Sequence, residues 1–474
     1  MHELHLLGVF LYEAIVIACI LHVLMDNRQP AKTMAWMLVI YFVPVIGLVF
    51  YFFFGVNTRK QRFISQRSMD QLTKRSMLEF VEQQSIQVQE EHRQTVKLFA
   101  NQNMSLPFMN SLTDIYTDGH AFFLDLLQAI GRAVHHIHLD LYIIEDDPLG
   151  RLVSDALIDR ARAGVEVRVI YDDVGCWRVK EAFFERMREA GIEVNSFLPV
   201  RFPLFTSKVN YRNHRKLIVI DGRLGFIGGM NIALRYAKGF GGQPWHDTMM
   251  RLEGGAVYGL QRAFLVDWYF VDRTLISNRR YYPPTPPGLS NDCLVQIVTS
   301  SPVTPWPEIM QGYLRVIISA RQYVYIQTPY FLPTESVLLA LKTAVAEGVD
   351  VRLMVPRHTD SRFVSWACRS YLREVAQSGV KVYLYEGGFI HSKMMVCDDS
   401  LATCGSTNVD FRSFENNFEA NAFVYDSGTA KRFRQIFLDD QRRSAELAPI
   451  LERHAPSFSV RLWESVTRLL SPLL

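Results

Sequence analysis

Several signals that would point to other classes of protein are scarce in this chain. Six cysteines (Cys19, Cys176, Cys293, Cys368, Cys397 and Cys404) in 474 residues form no Cys-x-x-Cys pair and no metal-ligand spacing. Most lie in apolar runs, as small buried hydrophobes of a reducing compartment do. A net charge of +3 is too small to argue for a nucleic-acid partner, which wants a strongly basic surface. The first apolar run lacks a basic leader and a small-residue cleavage site, so it does not read as a secretory signal.

What is abundant is apolar side chain, 49% of residues, which is high for a soluble protein. Leu6–Met25 is a 20-residue run broken only by Glu13 and His22. After a polar connector comes Met34–Phe54, 21 residues without a charge. Each is long enough to cross the hydrocarbon core, so residues 1–58 are expected to form a two-helix transmembrane hairpin, with Pro44 and Gly47 tolerated in the second span. The connector carries Arg28 and Lys32, whereas Arg59, Lys60, Arg62, Arg67, Lys74 and Arg75 follow the second span. That asymmetry places the long C-terminal part in the cytoplasm. Residues 59–109 are rich in Gln, Glu and Arg with little apolar periodicity, and read as a polar linker on the membrane side of the first domain.

From about residue 110 strands and helices alternate. Ile137–Ile144, Val165–Tyr171 and Gly191–Val194 read as strands, with helices at Leu149–Ala163 and Glu181–Ala190. The second half repeats them: strands at Tyr323–Thr328, Gly348–Arg352 and Gly379–Val382, helices at Glu335–Glu347 and Leu372–Ser378. Alternation of this kind implies an α/β fold with parallel pairing, and the self-similarity implies a duplicated domain. Pro283–Gly288 marks the boundary, giving domains over 110–288 and 289–474. The copies differ before the motif: 12 positions separate Gly379 from His391, but 23 separate Gly191 from His214. The extra segment around Phe202, Leu204 and Phe205, flanked by Arg201, Lys208 and Arg212, suits either an anionic membrane interface or an ordinary packed loop. The tail Pro456–Leu474 reads as an amphipathic helix that packs on the second domain or anchors at an interface.

One pattern occurs twice. His214-Arg-Lys216 leads through an apolar run to Asp221 and then Gly228-Gly229-Met-Asn231. His391-Ser-Lys393 leads likewise to Asp398 and Gly405-Ser406-Thr-Asn408. On extended backbone a histidine and a lysine two apart share a face. Together they supply a nucleophile or acid/base and a cation, the equipment for substitution at phosphorus. The two lysines provide positive charge and no carboxylate cage stands out, so no metal or cofactor is expected. A histidine used this way needs its second nitrogen held by a carboxylate. Asp221 and Asp398 belong to the motif and count among the catalytic candidates, although each follows an apolar run at a turn, where a structural carboxylate is at least as good a reading. His246 alternates away from Asp247 and is not expected to take part.

The doubled H-x-K-x-x-x-x-D with G-[GS]-x-N resembles the phospholipase D superfamily. With the hairpin, the Asn416-Asn417-Phe418-Glu419 stretch and the proline-rich boundary, the chain is similar to bacterial cardiolipin synthases nearly end to end. The resemblance implies two phospholipase D-like α/β domains packed face to face around one active site. It implies transfer of a phosphatidyl group from one phosphatidylglycerol to another at an anionic inner-membrane surface, releasing glycerol, with no nucleic-acid partner. It favours His214 as nucleophile and His391 as acid/base, with Lys216, Lys393, Asn231 and Asn408 on the phosphoryl oxygens. Ser406 and Arg412 join them as substrate-binding candidates, Arg412 toward a second phosphate. Carboxylates at the places of Asp247 and Glu419 orient the motif histidine in this family, so Glu419 is expected behind His391 and Asp247 behind His214. A hydrolase, with water as acceptor, and a membrane scaffold without activity are the competing readings; two intact motifs speak against the scaffold.

Overall fold

The apolar runs that carry the motifs fold as strands because they are short, rich in β-branched residues and closed by Asp and Gly. In the computed structural model, which describes residues 2–25, 30–51, 55, 86, 88–200, 210–284, 289, 293–453, 456–469 and 471, they form the centres of two sheets. The first half has seven strands in the order Ser111–Tyr116, Met249–Gly254, Leu224–Gly228, Lys216–Ile220, His136–Leu141, Glu166–Asp172 and Glu193–Phe197. The second half repeats that order with Leu294–Ser300, Glu419–Tyr425, Leu401–Gly405, Met394–Cys397, Tyr323–Gln327, Asp350–Pro356 and Lys381–Tyr385. Short strands at Pro107–Phe108 and Ser444–Glu446 extend its two edges.

The sheets are mixed rather than wholly parallel. Each motif strand runs antiparallel to both neighbours, and a tight turn closes one of the two pairs as a hairpin. Asp221 and Gly222 have φ of 55° and 63°, and Asp398 and Asp399 have 51° and 52°, the left-handed geometry of a hairpin turn. Within the two sheets the parallel pairs are those joined through helices, on the other side of the motif strand's neighbour. The helix expected at Leu372–Ser378 begins earlier, spanning Arg362–Gln377, since Ser361 caps its first turn by accepting the Val364 N–H.

Alternation along each motif strand serves two cores. Leu217, Val219, Ile227 and Met250 of the first sheet share one core with Met394, Val396, Ala402 and Ala422 of the second, together with the fully buried Trp268. The opposite faces pack under each half's own helices. At about 1.5–3 kcal/mol for each fully buried large apolar side chain, this shared core fixes the two halves against one another.

The polar linker ends sooner than its composition suggests. Residues 56–85 lie outside the described residues, but Glu90–Asn103 is a helix whose Phe99 is fully buried. It belongs to the second half, not the first. Phe99 lies 4.6 Å from Phe423, and the Gln296 amide donates to the Val96 and Ser105 carbonyls at 3.1 and 2.8 Å. Two apolar positions on one face suffice for docking where a complementary core waits, and periodicity alone does not show that.

The tail helix Phe458–Leu469 packs on Arg362–Gln377, through its polar side. Glu464 pairs with Arg373 and Arg468 reaches Glu374 at 2.6 Å, while Phe458 and Leu469 are about four-fifths exposed. The inserted loop lies outside the described residues at 201–209, as does the boundary at 285–288.

The N-terminal unit is helical: His2–Met25, Pro30–Phe42 and Pro44–Phe50. The second apolar run is two helices rather than one. Pro44 cannot continue the ladder, and Val43 sits at φ −131°, ψ 67°. Val23, Ile40 and Tyr51 are buried among Val16, Ile20, Trp36 and Leu48, and Trp36 meets the Tyr51 ring edge-on at 5.4 Å. Among the described residues no helix is long and apolar enough to cross a membrane.

Candidate active site

Each motif histidine stands just before its motif strand, and each is stitched to the other half. Asn213 bridges Phe418, and the His214 N–H donates to the Phe418 carbonyl at 2.9 Å. Phe389–Ile390 pairs with Trp245–His246, and the His391 N–H donates to the His246 carbonyl at 2.7 Å. The next residue in each partner segment is a carboxylate, Glu419 or Asp247. The carboxylates therefore cross over. Glu419 meets His214 Nδ1 at 2.9 Å, and Asp247 meets His391 Nδ1 at 2.7 Å. Glu419 behind His391 and Asp247 behind His214 are both corrected by this pairing: linear spacing places a carboxylate in its own half, and the strand exchange carries it to the other.

Both carboxylates are fully buried. Burial raises their pKa values, but His214 and Lys216 outweigh it for Glu419, and His391 and Lys393 outweigh it for Asp247, leaving both below the usual range. Burial lowers His214 to about 4, against the pull of Glu419. Burial and then the Lys393 charge lower His391 to about 3. Both imidazoles are thus neutral near pH 7, donating from Nδ1 to the carboxylate and leaving Nε2 for other work. The lysines pass behind them: Lys216 and Lys393 Nζ each donate to the backbone carbonyl of their own histidine at 2.5 Å. Lys393 Nζ also lies 3.1 Å from His391 Nε2. Burial, each other's charge and the opposing carboxylates set Lys216 at about 7, and burial sets Lys393 at about 8.

His214 and His391 line one cavity of about 700 Å³. Asn231, Asn408 and Arg412 line it too. Asn231 is already engaged, its Oδ1 accepting from the Ile143 N–H at 3.0 Å and its Nδ2 donating to Tyr236 at 2.5 Å. Ser406 does not reach the cavity. Its hydroxyl donates to Glu419 and accepts from the Ala420 N–H at 3.0 Å, so its place is behind the carboxylate and not on substrate.

Asp221 and Asp398 leave the catalytic set. Asp221 accepts from the N–H groups of Val134, His135 and His136 at 3.0, 2.8 and 3.0 Å. Asp398 accepts from those of Arg321, Gln322 and Tyr323 at 2.7, 2.9 and 2.8 Å. Each ties the motif turn to the start of the neighbouring strand, the structural alternative raised above. His246 points to Asp440 at 2.9 Å, away from the cavity, as its alternation implied.

Several cavity residues were given no role from the sequence. Tyr142 meets His214 edge-on at 5.1 Å and lies beneath Lys216 Nζ at 5.2 Å. Trp245 and Tyr236 flank His391 at 5.2 and 6.3 Å. Asn417 Nδ2 donates to Glu419 at 3.1 Å, a role its place two residues earlier on an extended segment makes readable.

Two similar sheets, each bringing a motif histidine to one cavity with its lysine buried behind it, define a phospholipase D-like enzyme. The family described as "Cardiolipin synthase, PLD-like domain" matches residues 126–239 and 313–441, and one described as "Phospholipase_D-nuclease N-terminal" matches 14–55. A cardiolipin synthase of Alkalihalophilus pseudofirmus is 39% identical over 95% of this chain and 90% of that protein. One of Geobacillus kaustophilus is 39% identical over 99% of this chain and 94% of that protein. The phosphatidylserine synthase of Haemophilus influenzae shares the fold, with a TM-score of 0.61 at 15% identity, covering 81% of this chain and all of that one. The chain belongs to the cardiolipin synthase family, phosphatidyltransferases of the phospholipase D type.

Proposed function

We propose that the protein transfers a phosphatidyl group from one phosphatidylglycerol to the primary hydroxyl of another, through a phosphohistidine on His214. The observation that carries this is the pair of carboxylate-held histidines facing one cavity. Neutral His214 attacks phosphorus with Nε2, while the P–O bond to glycerol breaks and His391 gives its Nε2 proton to the departing oxygen. His391 is neutral in the empty site. The entering phosphodiester brings the negative charge that favours protonation of His391 and of both lysines. In the second step the acceptor hydroxyl yields its proton to His391, its oxygen bonds phosphorus, and the P–N bond to His214 breaks. Lys216 and Lys393 balance charge on the non-bridging oxygens, with Asn408 beside them.

The N-terminal unit embeds in the bilayer and the catalytic body faces the cytoplasm. Phe10, Leu11, Ile17, Leu38, Phe42 and Ile46 stand exposed along its helices, a surface that lipid covers without cost. The native cysteines of the catalytic body are buried, so a cysteine introduced at an exposed position such as Trp177 serves as the probe, and its labelling from the outer face only would refute that orientation.

The purified enzyme, incubated with phosphatidylglycerol in mixed micelles, is expected to yield cardiolipin and glycerol. Phosphatidic acid without cardiolipin would show a hydrolase instead, and no turnover would favour the scaffold.

A further inference from the structure

The second half brings to the cavity amide oxygens that find no partner there. Asn408 Oδ1 and Asn417 Oδ1 have no hydrogen-bond partner among the described residues, although each residue is only 6% exposed. Both line the cavity, as does Ser413, whose buried hydroxyl bonds to Asp410 and keeps an oxygen lone pair for a ligand. Buried oxygens are rarely left alone, and oxygen acceptors gathered around one cavity suit a polyol whose hydroxyls donate to them. Asn231, the counterpart of Asn408 in the first half, has both ends of its amide occupied.

Between these residues stands Arg412, whose side chain lines the same cavity. Arg235 of the cavity is paired with Glu145 at 2.6 Å, and Arg212 faces Asp172 at 3.6 Å. Arg178 is exposed at the rim. Among the described residues Arg412 has no ion pair, and a half-buried guanidinium of this kind suits the bidentate grip of a phosphodiester.

Resting on the proposed cardiolipin synthesis, we infer that Asn408, Arg412, Ser413 and Asn417 form the headgroup subsite, with Arg412 reserved for the phosphate of the acceptor phosphatidylglycerol. The chemistry separates the two roles. His391 gives a proton to the leaving oxygen and takes one from the acceptor oxygen, so both glycerols occupy one position in turn. The departing glycerol carries no second phosphate. The acceptor's glycerol does, on the primary oxygen remote from the one that attacks. The amides and the serine hydroxyl therefore serve both steps, and Arg412 serves only the second. Free glycerol as acceptor regenerates phosphatidylglycerol and needs no contact with Arg412.

The test uses the full-length enzyme in phosphatidylglycerol mixed micelles with radiolabelled free glycerol. Cardiolipin formed and label exchanged into phosphatidylglycerol are measured together. In Arg412→Gln the ratio of cardiolipin to exchange is expected to fall at least about tenfold, the loss of one charge-assisted contact, and Arg412→Lys to recover part of it. Ser413→Ala is expected to raise the glycerol concentration for half-maximal exchange several-fold. A ratio unchanged in Arg412→Gln, whether both reactions fall or neither does, would overturn the subsite. Exchange also reports that the variant is folded. A wild-type enzyme that makes no cardiolipin would overturn the underlying reaction instead.

Discussion

In the first half the carboxylate that crosses to the opposite histidine is Asp247, with Gly229 at its back. In the second it is Glu419, with Ser406. A Cβ at Gly229 would lie 2.0 Å from Asp247 Oδ1, so the shorter carboxylate occupies the space a side chain would need. Ser406 instead fills that position and donates to Glu419. Equivalent strands thus solve one problem, an ionised buried carboxylate, in two ways. The residue after the glycine cannot be judged from its own copy, because its neighbour is the carboxylate it must accommodate.

The largest expected effect breaks the symmetry of the two histidines. His214→Ala and His391→Ala should each lose roughly 10⁴-fold or more in turnover. A phosphatidyl substrate with a nitrophenol leaving group, which departs without an acid, should restore a burst in His391→Ala only. A burst in His214→Ala would reverse the assignment of roles.

Next come the crossed carboxylates. Glu419→Gln and Asp247→Asn should each cost on the order of 10²–10⁴-fold, as loss of a histidine-orienting carboxylate does. Because Glu419 serves the nucleophile, its variant should stay impaired on the nitrophenyl substrate while Asp247→Asn largely recovers. Equal recovery of both would contradict the crossing.

The pH profile sharpens the comparison of the two lysines. With folded values of about 7 for Lys216 and 8 for Lys393, both are protonated below these values and lose charge as pH rises through them. Thus kcat/KM, which reports the empty enzyme, should fall more steeply from about pH 7 upward, where loss of lysine charge adds to the loss of the His391 proton. In kcat the decline should begin at higher pH, since bound phosphate raises both values. Coincident limbs would deny the coupling.

The smallest effects test the glycine and the serine. Gly229→Ser should lower stability by about 1–3 kcal/mol through overpacking against Asp247. Ser406→Gly should cost about 1–3 kcal/mol by leaving a Glu419 oxygen short of a donor. Thermal unfolding of the two variants, compared with the parent, checks both.

The sequence by itself determined the elements and the chemistry: two His-x-Lys pairs, two turns, a duplicated run of strands and helices, and an apolar N-terminal stretch. These rest on local spacing, which alternation and turn geometry translate directly into structure. Asp221 and Asp398 were legible as turn residues for the same reason. Only the tertiary structure decided which carboxylate holds which histidine, that Ser406 supports Glu419, that Glu90–Asn103 docks on the second half, and that Arg412 shares a cavity with unpartnered amides. Each of these depends on contacts between segments far apart in the chain, and no periodicity within one segment encodes its partner in another.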